Sequence, residues 1–304
     1  MSRGESMLLV TGITGHSGKH FLKEMIENNY SSKVRFIVRQ TSDISLFENI
    51  PLDIEVVQGE LNDEAFLNNA MLGIDEIIHI ASIFYSENII KVAVNHNIDR
   101  AILVHTTGIY SMYKSASQEY KKIESNINEI ITKSKSNINL IYLRPTMIYG
   151  NVNDRNMIIF IKMVDRLRIF PVIDRGQNLL QPVRGKDLGK AYYQILTQKD
   201  ILKGDYILSG EKPISMIDMF KLISELLGKK TIFINVPLGI GIFLAKLLFY
   251  FTLGKIDYIE KVKRMGENRS YSHSDANADF NYTPTPFIEG LKLEINDYLK
   301  SKKI

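Results

Sequence analysis

The chain has 304 residues and a formal net charge of +4, with 45% apolar and 24% charged residues. This length allows one large or two modest domains with a substantial core, and the composition is that of an ordinary globular protein. The absence of cysteine excludes disulfides, a thiolate nucleophile and cysteine-ligated zinc. Basic residues are dispersed among acidic ones, which argues against nucleic-acid binding. The polar start, residues 1–6, predicts a cytoplasmic location rather than secretion.

The first motif is a glycine-rich stretch at a predicted strand–helix junction. Residues 7–10 are an apolar run typical of a strand, and the apolar spacing in residues 21–26 predicts a helix. Glycines at this junction allow a tight turn, close approach of the backbone to a pyrophosphate, and binding of the anion at the helix N-terminus. We therefore expect a dinucleotide-binding turn with these contacts: Gly12, Thr14, Gly15, His16, Ser17 and Gly18.

The spacing G-x-x-G-x-x-G, with Thr11 before its first glycine, resembles the short-chain dehydrogenase/reductase family. It is most similar to the extended and atypical members, which include nucleotide-sugar epimerases and dehydratases. The resemblance extends along essentially the whole chain. It implies an α/β Rossmann-type fold, a doubly wound parallel sheet in residues 1–150 with return segments near residues 180–210. A smaller substrate-binding region then occupies most of residues 151–304.

The end of the second predicted strand, residues 33–39, bears on the choice of cofactor. A carboxylate about 20 residues beyond the glycine motif usually holds the ribose of NAD. Here Arg39 lies 21 residues beyond Gly18 and is followed by Gln40, Thr41 and Ser42. A guanidinium beside hydroxyls suits a 2′-phosphate, so we expect NADP, with Asp43 keeping NAD as the alternative.

The next two predicted strands add further cofactor contacts. Residues 54–63 resemble the family's G-D-L-x-D segment, which implies that Glu60 and Leu61 lie against the adenine. Residues 76–82 resemble the H-x-A-[AGS] segment, which implies that Ala81 and Ser82 pass close to the cofactor. His79, in the same strand, is interpreted as a packed residue rather than a ligand, because no second histidine lies at metal-binding spacing.

Residues 101–107 and 139–143 are predicted as the fifth and sixth strands. Each strand up to this point precedes a helix-length stretch, the pattern of a parallel sheet covered on both faces. Residues 144–150, Arg-Pro-Thr-Met-Ile-Tyr-Gly, resemble the R-P-x-x-[IV]-Y-G segment of extended members. The resemblance implies that this edge of the sheet faces the nicotinamide, with Thr106, Pro145 and Thr146 as contacts.

The catalytic centre departs from the family pattern. The family uses a tyrosine with a lysine four residues later, and a Ser or Thr that Thr107 matches. In the register set by Glu124, those two slots fall on Ala116 and Tyr120. A literal Y-x-x-x-K occurs earlier, as Tyr110 and Lys114.

Three interpretations of this centre remain open. Tyr110 and Lys114 could transfer the proton together with Thr107, and we favour this assignment. Tyr120, with Lys121 or Lys122, could replace them, although we also expect Tyr120 to be a cofactor contact in the lysine slot. Finally, the protein could need no tyrosine acid or bind cofactor without turnover.

Beyond residue 150 we expect a helix at 155–166, a strand at 206–210, a helix at 216–227 and a strand at 231–236. The apolar stretch 237–253 contains one charge, Lys246, and is interpreted as a helix buried in the substrate region. The alternatives are an apolar cap over a lipid-like substrate and a peripheral contact with a membrane through residues 238–253.

The predicted function is that of an NAD(P)-dependent oxidoreductase or epimerase/dehydratase acting on a small molecule, a nucleotide sugar or related carbonyl or carbinol compound. The alternatives are a catalytically silent NAD(P)-binding regulatory or assembly protein and a reductase of an apolar, lipid-like substrate. No metal site is expected, and a homodimer is left open.

Overall fold

A computed structural model describes residues 6–154, 156–201, 204–255 and 257–302. The strands are β1 (Leu8–Thr11), β2 (Val34–Val38), β3 (Ile54–Gln58), β4 (Glu76–His79), β5 (Arg100–Val104), β6 (Asn139–Pro145), β7 (Ile148–Tyr149), β8 (Ile169–Ile173), β9 (Leu179–Leu180), β10 (Val183–Arg184), β11 (Gly204–Leu208), β12 (Ile214–Ser215) and β13 (Ile232–Val236). The helices are α1 (His16–Glu27), α2 (Glu64–Ala70), α3 (Ser86–Ala93), α4 (Ser117–Ser134), α5 (Met157–Arg166), α6 (Gly185–Thr197), α7 (Met216–Leu226), α8 (Leu238–Phe251), α9 (Ile259–Met265), α10 (Ser274–Phe280) and α11 (Phe287–Ser301).

The main sheet has seven parallel strands in the order β11-β6-β5-β4-β1-β2-β3. The order reverses beside β1, so the crevice between the carboxyl ends of β1 and β4 is the expected ligand position of this fold. The predicted Rossmann-type α/β fold is confirmed. The strand predicted at 206–210 forms β11 and extends the sheet next to β6, as the return segment.

Apolar cores lie on both faces of this sheet. On one face, α1 and α6 pack together and Phe21 contacts Tyr192 edge to face. On the other face, α3 and α4 pack together and bury Ile90 and Ile127. Because both faces are covered, β1, β4 and β5 are buried along their whole length.

The C-terminal region has a core of its own. Phe170 of β8 and Phe220 of α7 lie with ring centroids 4.6 Å apart, and Leu291 of α11 is buried in the same cluster. β8 pairs in parallel with β13, outside the main sheet. These elements form the smaller region that the sequence predicts after residue 150.

Helix α8 corrects one expectation. It lies in the predicted stretch, but only Gly241 and Ala245 are buried, while Phe243 is 59% and Phe251 78% exposed. The interpretation as a buried core helix is therefore wrong. Although α8 is apolar on all sides, only one of its faces packs against the protein and the other faces solvent. No helix among the described residues is long and apolar enough to cross a membrane.

Candidate functional site

The turn between β1 and α1 is closed by backbone packing. A Cβ on Gly12 would lie 2.5 Å from the Ala81 nitrogen, and one on Gly18 would lie 2.2 Å from the Gly12 carbonyl oxygen. Gly12 also has a φ of +78°, which favours glycine. Gly15 differs, since it is exposed and a Cβ there would meet only the Gly12 oxygen, at 3.1 Å. The turn itself therefore requires Gly12 and Gly18, whereas Gly15 keeps the approach to α1 open.

The N-terminus of α1 fits an anion. Gly15 is its N-cap, no side chain caps the helix, and its first turn has no acidic residue. By contrast, Asp63 caps α2 and Ser215 caps α7 with side-chain oxygens. Uncapped N–H groups and the positive end of the helix dipole attract a phosphate. The residues present therefore fit the pyrophosphate of a dinucleotide, with Thr14 and Ser17 in the same turn.

His16 lies in the first turn of α1 and packs against Gly185. A Cβ on Gly185 would lie 2.6 Å from the His16 Nε2 atom, which is buried and has no hydrogen-bond partner among the described residues. Burial lowers the pKa of His16, although the charge of Asp154 opposes the shift. The imidazole is therefore neutral near pH 7, and its contact with the cofactor stays a prediction.

The remaining residues predicted to bind the cofactor follow neighbouring strands at the carboxyl edge of the sheet. Arg39 comes directly after β2 and is exposed. Glu60 and Leu61 follow β3, and Ala81 and Ser82 follow β4. Parallel strands bring these loops to the same edge as the glycine turn, and the close approach of Gly12 to Ala81 shows that two of them touch. His79 is fully buried and bonded to the Thr11 hydroxyl, which confirms that it is a packed strand residue.

Thr106 and Thr107 follow β5 and face the end of β6. The Thr107 hydroxyl donates to the Pro145 carbonyl at 3.2 Å, and the Thr106 hydroxyl accepts from the Gly108 amide at 3.0 Å. Thr146 donates its hydroxyl proton to the Gln181 carbonyl at 2.5 Å. Pro145 is thus bonded to Thr107, whereas Thr106 and Thr146 bond to the backbone of Gly108 and Gln181.

Lys114 lies over Tyr120 rather than beside Tyr110. Its Nζ atom is 4.9 Å from the centroid of the Tyr120 ring. Residues Thr107–Tyr110 form a 3₁₀ turn and α4 begins only at Ser117, so the helical turn that would join Tyr110 to Lys114 is not formed. Burial raises the pKa of Tyr110. Lys114 is therefore not placed to lower this pKa, as a lysine one helical turn after the tyrosine would be.

Tyr120 is buried in α4, and its ring centroid lies 5.7 Å from that of Phe84. The two lysines that follow it, Lys121 and Lys122, are exposed. The cation that reaches the Tyr120 ring therefore comes from the loop, as Lys114, and not from the helix.

Two glutamates from beyond residue 250 hold the loop after Tyr110. Glu267 is buried and accepts from the Ser111 hydroxyl at 2.7 Å and from the Met112 amide at 2.8 Å. Glu260, in α9, accepts from the Ser115 amide at 3.2 Å. Sequence reasoning missed both, because about 150 residues separate the partners and no local pattern marks either glutamate.

An ionic network around the buried Arg144 side chain fixes the helix that follows the loop. Arg144 donates to Glu124 of α4 at 2.6 and 2.9 Å and to Asp205 of β11 at 2.5 and 2.7 Å. His105 Nδ1 lies 2.7 Å from the same Glu124 carboxylate. Burial opposes ionisation of Glu124, but the bonds from His105 and Arg144 lower its pKa to about 2. This network joins α4 to β5, β6 and β11.

A polar cavity of about 440 Å³ lies beside this edge. Tyr271 borders it, and the Tyr271 ring centroid is 5.6 Å from that of Tyr110. Gln181 also borders it, accepting from the Tyr271 amide and donating to the Gly210 carbonyl. This volume is in the range of small-molecule sites. The other lining residues are Glu211, Pro213, Ser270, Ser272, His273, Ser274 and Asn277.

Two arginines lie next to the cavity-lining run 270–274. The Nε atoms of Arg264 and Arg269 are buried without a hydrogen-bond partner among the described residues. Burial and the positive charge of Arg264 lower the pKa of Arg269 to about 10, while Glu267 opposes the shift. Both arginines also influence the Tyr271 hydroxyl. Buried guanidinium N–H groups without a protein acceptor favour binding of an anion beside them.

Comparison with known proteins agrees with this geometry. Residues 12–161 match the family model described as NAD(P)H-binding. No curated protein matches the sequence.

Solved structures match over almost their full length. The structure called gox2253 has a TM-score of 0.74 at 17% identity, covering 98% of this chain and 99% of that one. The UDP-glucose 4-epimerase of Thermotoga maritima, solved with UDP-glucose, has a TM-score of 0.69 at 16% identity, with coverages of 97% and 99%. The dTDP-glucose 4,6-dehydratase DesIV of Streptomyces venezuelae, solved with NAD and TYD, has a TM-score of 0.71 at 16% identity and covers 98% of each chain. At these identities the likeness shows the fold.

The protein therefore has a Rossmann fold, and its residues 12–161 match an NAD(P)H-binding family model. The fold implied by the resemblance to the extended and atypical short-chain dehydrogenase/reductases is confirmed, and the NAD(P)H-binding family model is consistent with that family.

Proposed function

We propose that this protein is an NAD(P)-dependent oxidoreductase or epimerase/dehydratase whose substrate is a nucleotide sugar or a related carbonyl or carbinol compound. The observation that carries the proposal is the polar cavity beside Tyr271, which contacts Tyr110 at the edge predicted to face the nicotinamide. Structural relatives solved with UDP-glucose or with NAD and TYD share this fold and support the substrate class.

The arginine pair supports a substrate that carries phosphate. Arg264 and Arg269 keep buried Nε–H groups that have no partner within the described part of the chain, and each adds positive charge near the Tyr271 hydroxyl. A diphosphate would supply both the missing acceptors and the missing negative charge. A neutral, apolar substrate would leave the free-energy cost of burying these N–H groups and charges uncompensated.

The bound nicotinamide would supply hydride transfer to or from a substrate carbon. The chain's own part is to orient the substrate and hold a proton at its oxygen. Thr107 donates to Pro145, which leaves its hydroxyl oxygen free to accept from a carbinol. Tyr110 has a raised pKa, so it is protonated at neutral pH and would donate to a carbonyl oxygen. Lys114, over the Tyr120 ring, would hold positive charge beside this edge.

We assign the cofactor preference to NADP on the basis of Arg39. This exposed guanidinium follows β2 directly, where a Rossmann domain meets the adenosine ribose. A 2′-phosphate gives it a charged partner, whereas the 2′-hydroxyl of NAD does not.

The test is turnover of NADPH and NADH with UDP- and dTDP-sugars and their keto derivatives, followed by cofactor absorbance and by chromatography of the sugar. We expect conversion with at least one of these nucleotide sugars. Cofactor binding without conversion of any of them would favour a second candidate, a regulatory or assembly protein. The displaced Tyr110 and Lys114 are the observation that favours this candidate.

A further inference from the structure

The outer face of α8 is an apolar surface that the described residues leave uncovered. Its inner face packs on the protein: a Cβ on Gly241 would lie 2.6 Å from Ile173 and 3.1 Å from Val262. Its outer face presents apolar residues at helical spacing, continued by Leu253, which is 89% exposed. We call this outer set the α8 stripe: Ile240, Phe243, Leu244, Leu248 and Phe251.

We propose that the α8 stripe docks the protein on an anionic membrane surface, with α8 lying in the plane of the bilayer interface. A contiguous exposed apolar patch marks a surface that interacts with something. With 14 residues, α8 is about 21 Å long, shorter than the hydrocarbon core of about 30 Å, so it lies along the surface. The exposed aromatic residues Tyr250 and Phe251 are of the type enriched at lipid–water interfaces.

Charge around the stripe selects the occupant. Residues 238–256 contain two lysines and no aspartate or glutamate, while Lys229, before β13, pairs with Asp165 at 3.1 Å. Lys246 and Lys255, within and just after α8, are both exposed. A second copy of the chain in a two-fold contact would place this positive surface against itself, which is repulsive. Anionic headgroups attract it instead, while lipid chains cover the stripe.

The proposed docking surface is connected to the candidate active site. Helix α9 packs on α8, and Glu260 in α9 and Glu267 just after it bond to the loop after Tyr110. That loop also exposes Met112, which is 81% accessible. Membrane docking would thus act on the segment that joins the substrate region to the catalytic edge. The inference itself does not depend on the proposed reaction.

The experiment is sedimentation of the full chain with vesicles, without substrate. We expect binding to vesicles of phosphatidylcholine and phosphatidylglycerol in equal parts, and at least about tenfold weaker binding to phosphatidylcholine alone, because each lysine near an anionic surface adds to the attraction. High salt should weaken the first interaction, since it screens exposed charge.

Two variants test the stripe and its charge separately. Phe243→Ser with Phe251→Ser should reduce vesicle binding at least about tenfold, since it removes two of the largest apolar side chains of the stripe. The matched control, Leu72→Ser with Ile288→Ser, changes exposed apolar residues elsewhere and should bind as the parent does. Lys246→Glu should weaken binding to the anionic vesicles, whereas Lys292→Glu in α11 should not.

An unchanged circular dichroism spectrum and an unchanged melting temperature show that each variant is folded, as expected for substitutions of exposed side chains. The proposal is overturned if the parent protein does not bind the anionic vesicles, or if the stripe variant binds them equally well. It is also overturned if sedimentation velocity shows a dimer that the stripe variant converts to monomer, because the stripe would then cover a second copy.

Discussion

The β1–α1 turn and the loop after β5 lie at the same edge of the sheet, but they are held in different ways. The turn is fixed by backbone contacts within a few residues of β1 and β4, through Gly12, Gly18 and Ala81. The loop is fixed by side chains from beyond residue 250, Glu260 and Glu267. The proposed cofactor side therefore depends on nearby backbone contacts, whereas the proposed catalytic side depends on the C-terminal region. Substitutions in the two places should have separable effects on cofactor binding and on turnover.

The largest effect is expected from Gly15→Val. Gly15 is exposed, and its Cβ position meets only the Gly12 oxygen, so the fold should persist while the side chain blocks the approach to α1. We expect at least about a 100-fold loss of affinity for both NADPH and NADH in calorimetry, about 2.7 kcal/mol. Gly239→Ala, where a Cβ would meet nothing, is the matched control and should bind normally. Unchanged affinity in Gly15→Val would show that the cofactor does not bind at this turn.

Tyr110→Phe, in the loop after β5, should affect turnover rather than cofactor binding. Once a substrate is known, we expect turnover to fall roughly 10²-fold with little change in NADPH affinity, the scale of a lost proton donor. Tyr113→Phe, a neighbouring exposed tyrosine, serves as the control. If Tyr120→Phe is harmful and Tyr110→Phe is not, proton transfer belongs to α4 instead.

Arg39→Ala tests which cofactor the protein prefers. Loss of a charge-assisted bond to the 2′-phosphate should weaken NADP by about 2 kcal/mol and leave NAD nearly unchanged. Titrations with both cofactors measure this, with Arg168→Ala as an exposed arginine elsewhere. An equal loss for NAD and NADP would contradict the assigned preference.

A fourth prediction concerns the pH dependence of stability. Glu294 is buried, accepts from the Gly150 amide and faces Asp154, and burial together with the Asp154 charge raises its pKa to about 9. The folded protein then binds more protons than the unfolded chain between about pH 4.5 and 9, so Glu294 makes stability fall as pH rises through this window, by at most about 1.4 kcal/mol per pH unit.

Glu294→Gln should flatten that slope in denaturant titrations at pH 5 and pH 8. The exposed Glu289→Gln in the same helix should leave it as it is. A slope that is identical in the parent and in Glu294→Gln would show that Glu294 is already ionised in the folded protein.

Sequence reasoning predicted the parts that depend on local pattern. Apolar runs marked the parallel strands, and the glycine spacing marked the turn at Gly12, because backbone geometry there leaves room for no other residue. His79 could also be placed correctly, since its strand is apolar on both sides.

The rest depends on contacts between distant segments. Glu267 bonds to Ser111, 156 residues earlier in the chain, and no sequence pattern near either residue indicates this bond. Lys114 has the right spacing from Tyr110 for a helix, but the backbone forms a 3₁₀ turn and an irregular loop, so the lysine meets Tyr120. In α8, apolar residues occur on all sides of the helix, so its sequence pattern is the same for a buried helix and for an exposed one. Only its neighbours decide that, and they cover one face.

The most direct test of the account is a calorimetric titration of the parent protein with NADPH and UDP, each alone and each in the presence of the other. The glycine turn and the polar cavity beside Tyr271 are separate places at one edge of the sheet. We therefore predict that both ligands bind together. Gly15→Val should lose affinity for NADPH alone, and Arg269→Ala should lose affinity for UDP alone. Competition between NADPH and UDP for a single site, or binding of neither, would contradict it.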